Sequence, residues 1–151
     1  MKVDPSIIAR LEAEGRVQTG TRRATQPRED WAWKPLPVTL SVPTRLYSEM
    51  NRRDHWAARF RRFKGQREAV VMAWYETGLR HLGCFPRLIV TFTVLGPRRM
   101  DDDNCAGACK ACRDAVAALL DCDDADPRVE WRYEQRKEKK HGLEITLEEK
   151  P

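Results

Sequence analysis

The sequence predicts an α/β (α+β) protein, a mixed β-sheet of about four strands carrying two main helices in the order β-α-β-α-β-β. Three observations predict it. Short alternating, β-branched runs recur at Val38–Val42, Val129–Glu134 and Leu143–Leu147, and Arg87–Leu95 is apolar enough for a central strand. Two longer stretches, His55–Leu79 and Asn104–Leu120, have helical periodicity. No internal repeat interrupts this order.

The elements follow along the chain. Pro5–Gly15 reads as a short helix ending at Gly15. Arg16–Pro37 is polar and punctuated by Pro27, Pro35 and Pro37, so residues 1–34 are expected to form an N-terminal helix and extended arm, with Trp31 and Trp33 pinning the arm to the body. The compact domain is expected over 35–151. Val38–Val42 opens the sheet and Pro43–Asp54 is a loop. In His55–Leu79, the residues Trp56, Phe60, Phe63, Val70, Val71 and Trp74 make one apolar stripe, which puts Arg59, Arg62 and Gln66 on the exposed side. Gly83 and Pro86 break the chain before the central strand, and Gly96–Met100 turns it into the second helix. Val129–Glu134 and Leu143–Leu147 read as a closing hairpin across Lys139–Gly142.

A chain of 151 residues suits a single core. Mean hydropathy is −0.68 with 34% charged residues, and no apolar run is long enough to span a bilayer. The start, MKVDPSIIARLEAEG, lacks the apolar segment of a secretory signal, so a cytoplasmic location is expected. Five cysteines in such a chain do not predict a disulfide framework. Cys105, Cys109 and Cys112 share a helical stripe with Val116 and Leu120, which reads as core rather than as a zinc site.

The net charge is +5, and Arg outnumbers Lys by more than two to one. Arginine binds phosphate in a bidentate fork, so a polyanionic partner is expected. The charges are segregated. Arg52, Arg53, His55, Arg59, Arg61, Arg62, Lys64 and Arg67 crowd the start of the long helix with little acid among them, and phosphate contacts are expected from them. Against these stands the plain alternative of a solvated helix face.

The acids crowd into Asp101–Asp126. Asp101 and Asp103 lie two apart where a strand ends, hence on one side of extended backbone, and can both offer oxygen to a hard cation such as Mg²⁺. Asp123 and Asp124 form a second pair after the following helix. The competing expectation is that Asp103 or Asn104 merely caps that helix. Asp103, Gly107, Lys110 and Asp114 share one face if the helix is regular, with Gly107 leaving room for a close approach. There Lys110 could steady charge on a phosphate, or simply pair with Asp114.

The D-x-D-N run Asp101–Asn104 after a central strand, Lys110 with Asp114 four further on, and the Asp123-Asp124 pair before the last two strands together resemble the RusA-like Holliday junction resolvases. The order and setting agree from Val38 to Leu147. Five residues separate Asn104 from Lys110 where the family's resolvase form has two. A later helix start restores the geometry; otherwise Lys110 is not the equivalent lysine. The resemblance implies a homodimer, of a kind found in phage and prophage, that cuts branched DNA symmetrically in an Mg²⁺-dependent reaction, with Mn²⁺ as the other candidate ion. It further implies Asp101, Asp103 and Asp124 as essential carboxylates, with Asp123 beside them, and Lys110 as the essential lysine. It places Asn51 and His55 near the active site. Two bridged divalent ions would supply the activated water and the charge neutralisation, with no nucleotide cofactor and no Ser or Cys nucleophile. A nuclease for flaps or replication intermediates, a DNA-binding module with a structural acidic cluster, and a zinc-stabilised adaptor are the alternatives.

Overall fold

A computed structural model describes residues 36–49, 52–79 and 87–151. The expected helix at Pro5–Gly15, the arm, the paired tryptophans and Asn51 lie outside these residues. The order is β1 (Val38–Val42), α1 (Trp56–Glu76), β2 (Leu88–Gly96), α2 (Asp102–Ala108), α3 (Lys110–Leu119), β3 (Val129–Lys137) and β4 (Gly142–Glu149). The fold is α+β, a four-stranded mixed sheet with three described helices. None of them is long and apolar enough to cross a membrane.

Strand order is β1-β4-β2-β3, with β4 antiparallel to both β1 and β2, and β3 parallel to β2. The expected hairpin of the last two strands is therefore corrected. They flank β2 instead of pairing with each other. The linker 138–141 steps over the end of β2, where Glu138 donates its backbone N–H to the Gly96 carbonyl at 2.9 Å. A Cβ on Gly96 would sit 3.1 Å from the His141 ring, so a glycine lets the linker pass closely. The turn cue between the strands was read correctly as a reversal. What it could not specify is whether the returning strand lies beside its predecessor or one place over.

Alternation sorts the sheet into two faces. On the inner face the register aligns Leu40 with Ile145, Ile145 with Phe92, and Phe92 with Tyr133. These residues join Val70, Ala73 and Trp74 of α1 and Cys105, Cys109, Cys112 and Val116 in one core. The outer face is polar. Thr39 and Thr146 hydroxyls meet at 3.1 Å, and Arg136 grips the Glu144 carboxylate at 2.6 and 3.0 Å across β2.

The apolar stripe of α1 is only half realised. Val70 and Trp74 are buried, but Trp56 and Phe60 stand in water. Gln66, expected outside, is 4% exposed. The helix ends where Gly78 takes φ 75°, a conformation that suits glycine. The second helix is two helices. Cys109 separates them, its N–H shared between the carbonyls of Cys105 and Gly107.

Ile145→Ala should cost about 2–5 kcal/mol in urea unfolding, whereas Thr146→Ala one position on should cost under about 1 kcal/mol. Similar losses at both positions would contradict the face assignment.

Candidate active site

The acidic run leaves the sheet at the carboxyl end of β2, the side on which open α/β sheets place ligands. Asp101 occupies the N-cap position of α2 but makes no side-chain cap bond, so the capping role expected of Asp103 or Asn104 is not filled by either. Asp102 and Asp103 lie in the first helical turn, where the helix dipole favours negative charge. The extended backbone expected to put Asp101 and Asp103 on one side is therefore corrected: the strand ends at Gly96, and of the two only Asp101 keeps an extended conformation. All three carboxylates are exposed, and no ion pair to any of them is present among the described residues.

Three contacts hold this run in place, and sequence reasoning missed each of them. The Gln135 side chain of β3 accepts the Met100 N–H at 2.7 Å and donates to the Met100 carbonyl at 2.8 Å, clamping the peptide just before Asp101. Ser48, in the loop after β1, donates to the Asn104 side-chain oxygen at 2.9 Å. The Asn104 amide in turn reaches Asp101 at 3.5 Å. A glutamine in an alternating strand gives no sequence signal of its own. Only the parallel placement of β3 brings it to Met100.

The second acidic segment is mounted on the same strand face. After α3, Asp121 adopts φ 55° and the chain turns back, with Cys122 N–H bonded to the Ala117 carbonyl at 3.0 Å. The Trp131 indole then donates to the Asp124 carbonyl at 2.8 Å. Arg113 of α3 bonds the Tyr133 hydroxyl at 3.2 Å and the Asp124 carboxylate at 3.0 Å. Trp131, Tyr133 and Gln135 thus follow one another along β3 and tether both acidic segments. Asp123 accepts the Ala125 N–H at 2.9 Å, which holds its carboxyl below the usual range. Among the described residues no three His, Cys, Asp or Glu side chains converge as a metal cluster.

The helix starts at Asp102, so the later start that would have restored the lysine spacing is not seen. Lys110 instead opens α3, and the expected regular face through Asp103, Gly107, Lys110 and Asp114 is interrupted at Cys109. Lys110 lies 3.8 Å from Asp114, and Arg67 of α1 reaches the same carboxylate at 3.3 Å. A Cβ at Gly107 would meet nothing within 4 Å, so the room there is open rather than filled by backbone.

The basic segment is less free than its composition implied. Arg62 is only 18% exposed at its side chain and binds Glu49 through two bonds, 2.8 and 3.1 Å, and Asp54 at 2.8 Å. Its expected place on an open face is corrected. Acids from neighbouring turns and from the preceding loop supply the partners that its own run lacks. Arg52 pairs with Asp54 at 2.8 Å, and Lys64 lies 3.8 Å from Glu68. Arg59 reaches Glu49 only at 3.9 Å. Arg53 and Arg61 are exposed without an ion pair among the described residues. His55 caps α1, its Nδ1 accepting the Ala57 N–H at 3.3 Å. Tyr47 gathers the guanidinium groups of Arg45, Arg52 and Arg62 over its ring at 5.0, 4.8 and 5.8 Å.

The three cysteines are buried in the core, as the stripe predicted. Burial pushes the Cys112 thiol up to about 12, and Cys109 rises too, through its bond with Cys105 and through burial. No protein-family model matches the chain, and no curated protein matches it.

A raised folded pKa means that the stability contributed by a neutral Cys112 is complete below its unfolded value and is lost as pH climbs towards 12. The fall in unfolding free energy between about pH 8 and 10 should be shallower in Cys112→Ala than in the parent. Equal slopes would show that burial does not hold that proton.

Proposed function

We propose that the protein is a Mg²⁺-dependent, structure-selective endonuclease acting on branched DNA, as the RusA-like resemblance implies. The observation that carries this reading is the run Asp101–Asp103, which has no ion pair among the described residues. A fold that pairs Glu49, Asp54, Asp114, Asp124, Asp126 and Glu144 with arginines leaves three consecutive carboxylates without a cation among the described residues. Such a cluster is stable beside a cation that arrives with the substrate or from solution. Its donor chemistry fits one hard ion held by Asp101 and Asp103, the remaining positions being left to water and phosphate oxygen. When bound, that ion would polarise the phosphate and lower the pKa of a coordinated water.

The chain's own groups do the rest. Gln135 and Ser48 fix where the carboxylates stand. Lys110 offers positive charge to a phosphate near them, at half-exposure and with only a long contact to Asp114. Arg53 and Arg61 supply further contacts to the backbone of the nucleic acid. Asp124, essential by the resemblance, is tied to Arg113 and joins the site only by exchanging that partner; one ion at Asp101 and Asp103 therefore fits the geometry better than two. The reading takes the active form to be a homodimer in the cytoplasm, needing no nucleotide cofactor.

A non-catalytic DNA-binding module is the second reading, and the Asp124–Arg113 pair favours it. A synthetic four-way junction and a linear duplex, each incubated with Mg²⁺ or EDTA, separate the two. The nuclease reading expects paired nicks in the junction with Mg²⁺ only. Asp103→Asn should then lose cleavage by about a hundredfold or more while junction affinity changes less than about threefold. Gln135→Leu should slow cleavage and likewise spare affinity. Tight junction binding with no cleavage under Mg²⁺ or Mn²⁺ would establish the binding module instead.

A further inference from the structure

Two aromatic rings at the start of α1 stand where an amphipathic helix would bury them. Trp56 is 72% exposed and Phe60 64% exposed. They are four residues apart, so they share a side of the helix on successive turns, with a rise of about 6 Å between them. Beyond Phe60 the same stripe borders a recess of about 270 Å³ lined by Phe60, Phe63, Lys64, Arg67 and Glu68. Arg59 flanks the stripe on one side, its guanidinium 5.2 Å from the Phe63 ring centre, and Lys64 flanks it on the other. Arg53 lies in the segment leading into the helix.

We propose that Trp56 and Phe60 form a stacking platform for the unpaired bases of a single DNA strand, with Arg53, Arg59 and Lys64 holding its phosphates. Rings interleaved with cations match a ligand that offers flat π faces and repeated negative charge together. Duplex DNA would satisfy the cations but leave the rings in water, because its bases are already stacked on one another. A second copy of the chain would set Arg53, Arg59, Arg61 and Lys64 against themselves, with Glu68 and Glu49 offsetting only part of that charge. The inference rests on the DNA-processing reading and deepens it: the site would select branch points by their unpaired bases, through contacts separate from the carboxylates.

The test uses the full chain in EDTA, so that cleavage plays no part, with labelled strands of equal length followed by fluorescence anisotropy. The strands are oligothymidine, an abasic strand of the same backbone, and a blunt duplex. The parent should bind oligothymidine at least about tenfold more tightly than the abasic strand. Trp56→Ala/Phe60→Ala should fall to within about twofold of the abasic level, and Trp56→Phe/Phe60→Tyr should keep most of the preference. The proposal is overturned if the parent binds thymidine and abasic strands equally, a comparison that needs no variant. It is also overturned if the alanine pair leaves thymidine binding intact, including the case where that pair instead dissociates an oligomer in sedimentation. Base preference without junction cleavage would sustain the platform and remove the nuclease; cleavage without base preference would do the reverse.

Discussion

The position of β2 between an antiparallel and a parallel neighbour constrains the rest of the molecule. With β4 on one side and β3 on the other, β2 has no open edge, and its backbone groups are satisfied along both sides. The chain must then leave the sheet at Gly96, under the linker that joins β3 to β4. The acidic run follows within five residues of that exit. Because β3 runs parallel to β2, its carboxyl-terminal half lies beside the same exit, and Gln135 can bond both groups of the Met100 peptide. An antiparallel hairpin of β3 and β4 would have moved Gln135 away from Met100.

One strand face therefore tethers both acidic segments of the candidate site. Gln135 fixes the first acidic segment, while Tyr133 and Trp131 fix the second through Arg113 and the Asp124 carbonyl. The two segments differ in charge balance. Asp124 has a guanidinium partner, whereas Asp101–Asp103 have none among the described residues. That difference assigns them different roles in the proposed chemistry, the first as the seat of a cation and the second as a carboxylate held in reserve. The helices serve the site by packing the inner face of the sheet, with the three buried cysteines filling space close to β3. Cys105 approaches the Glu134 carbonyl at 4.0 Å.

Strand positions were legible because alternation reports burial directly, and β1, β2, β3 and β4 all fall where that pattern put them. Strand order was not, since four linker residues suit a hairpin and a step across one strand equally well. The near-continuous apolar run of β2 was the available clue, for it marks a strand covered on both faces, as interior strands of a sheet are. The break at Cys109 had no proline or glycine at its own position to announce it. The pairing of Arg62 was hidden because Glu49 lies thirteen residues away, beyond any local pattern. The exposed Trp56 and Phe60 ran against the amphipathic rule. Such departures from local expectation belong where a sequence serves something other than its own core.

The central claim is that Asp101 and Asp103 seat a divalent cation, and it is tested most directly by titrating the full chain with Mn²⁺ and following water-proton relaxation. The parent should bind about one ion per chain, and Asp101→Asn/Asp103→Asn should weaken that binding about tenfold or more. Asp126→Asn, whose carboxylate already pairs with Arg128, should bind as the parent does. Unchanged binding in the Asp101/Asp103 variant, or none in the parent, would contradict the account.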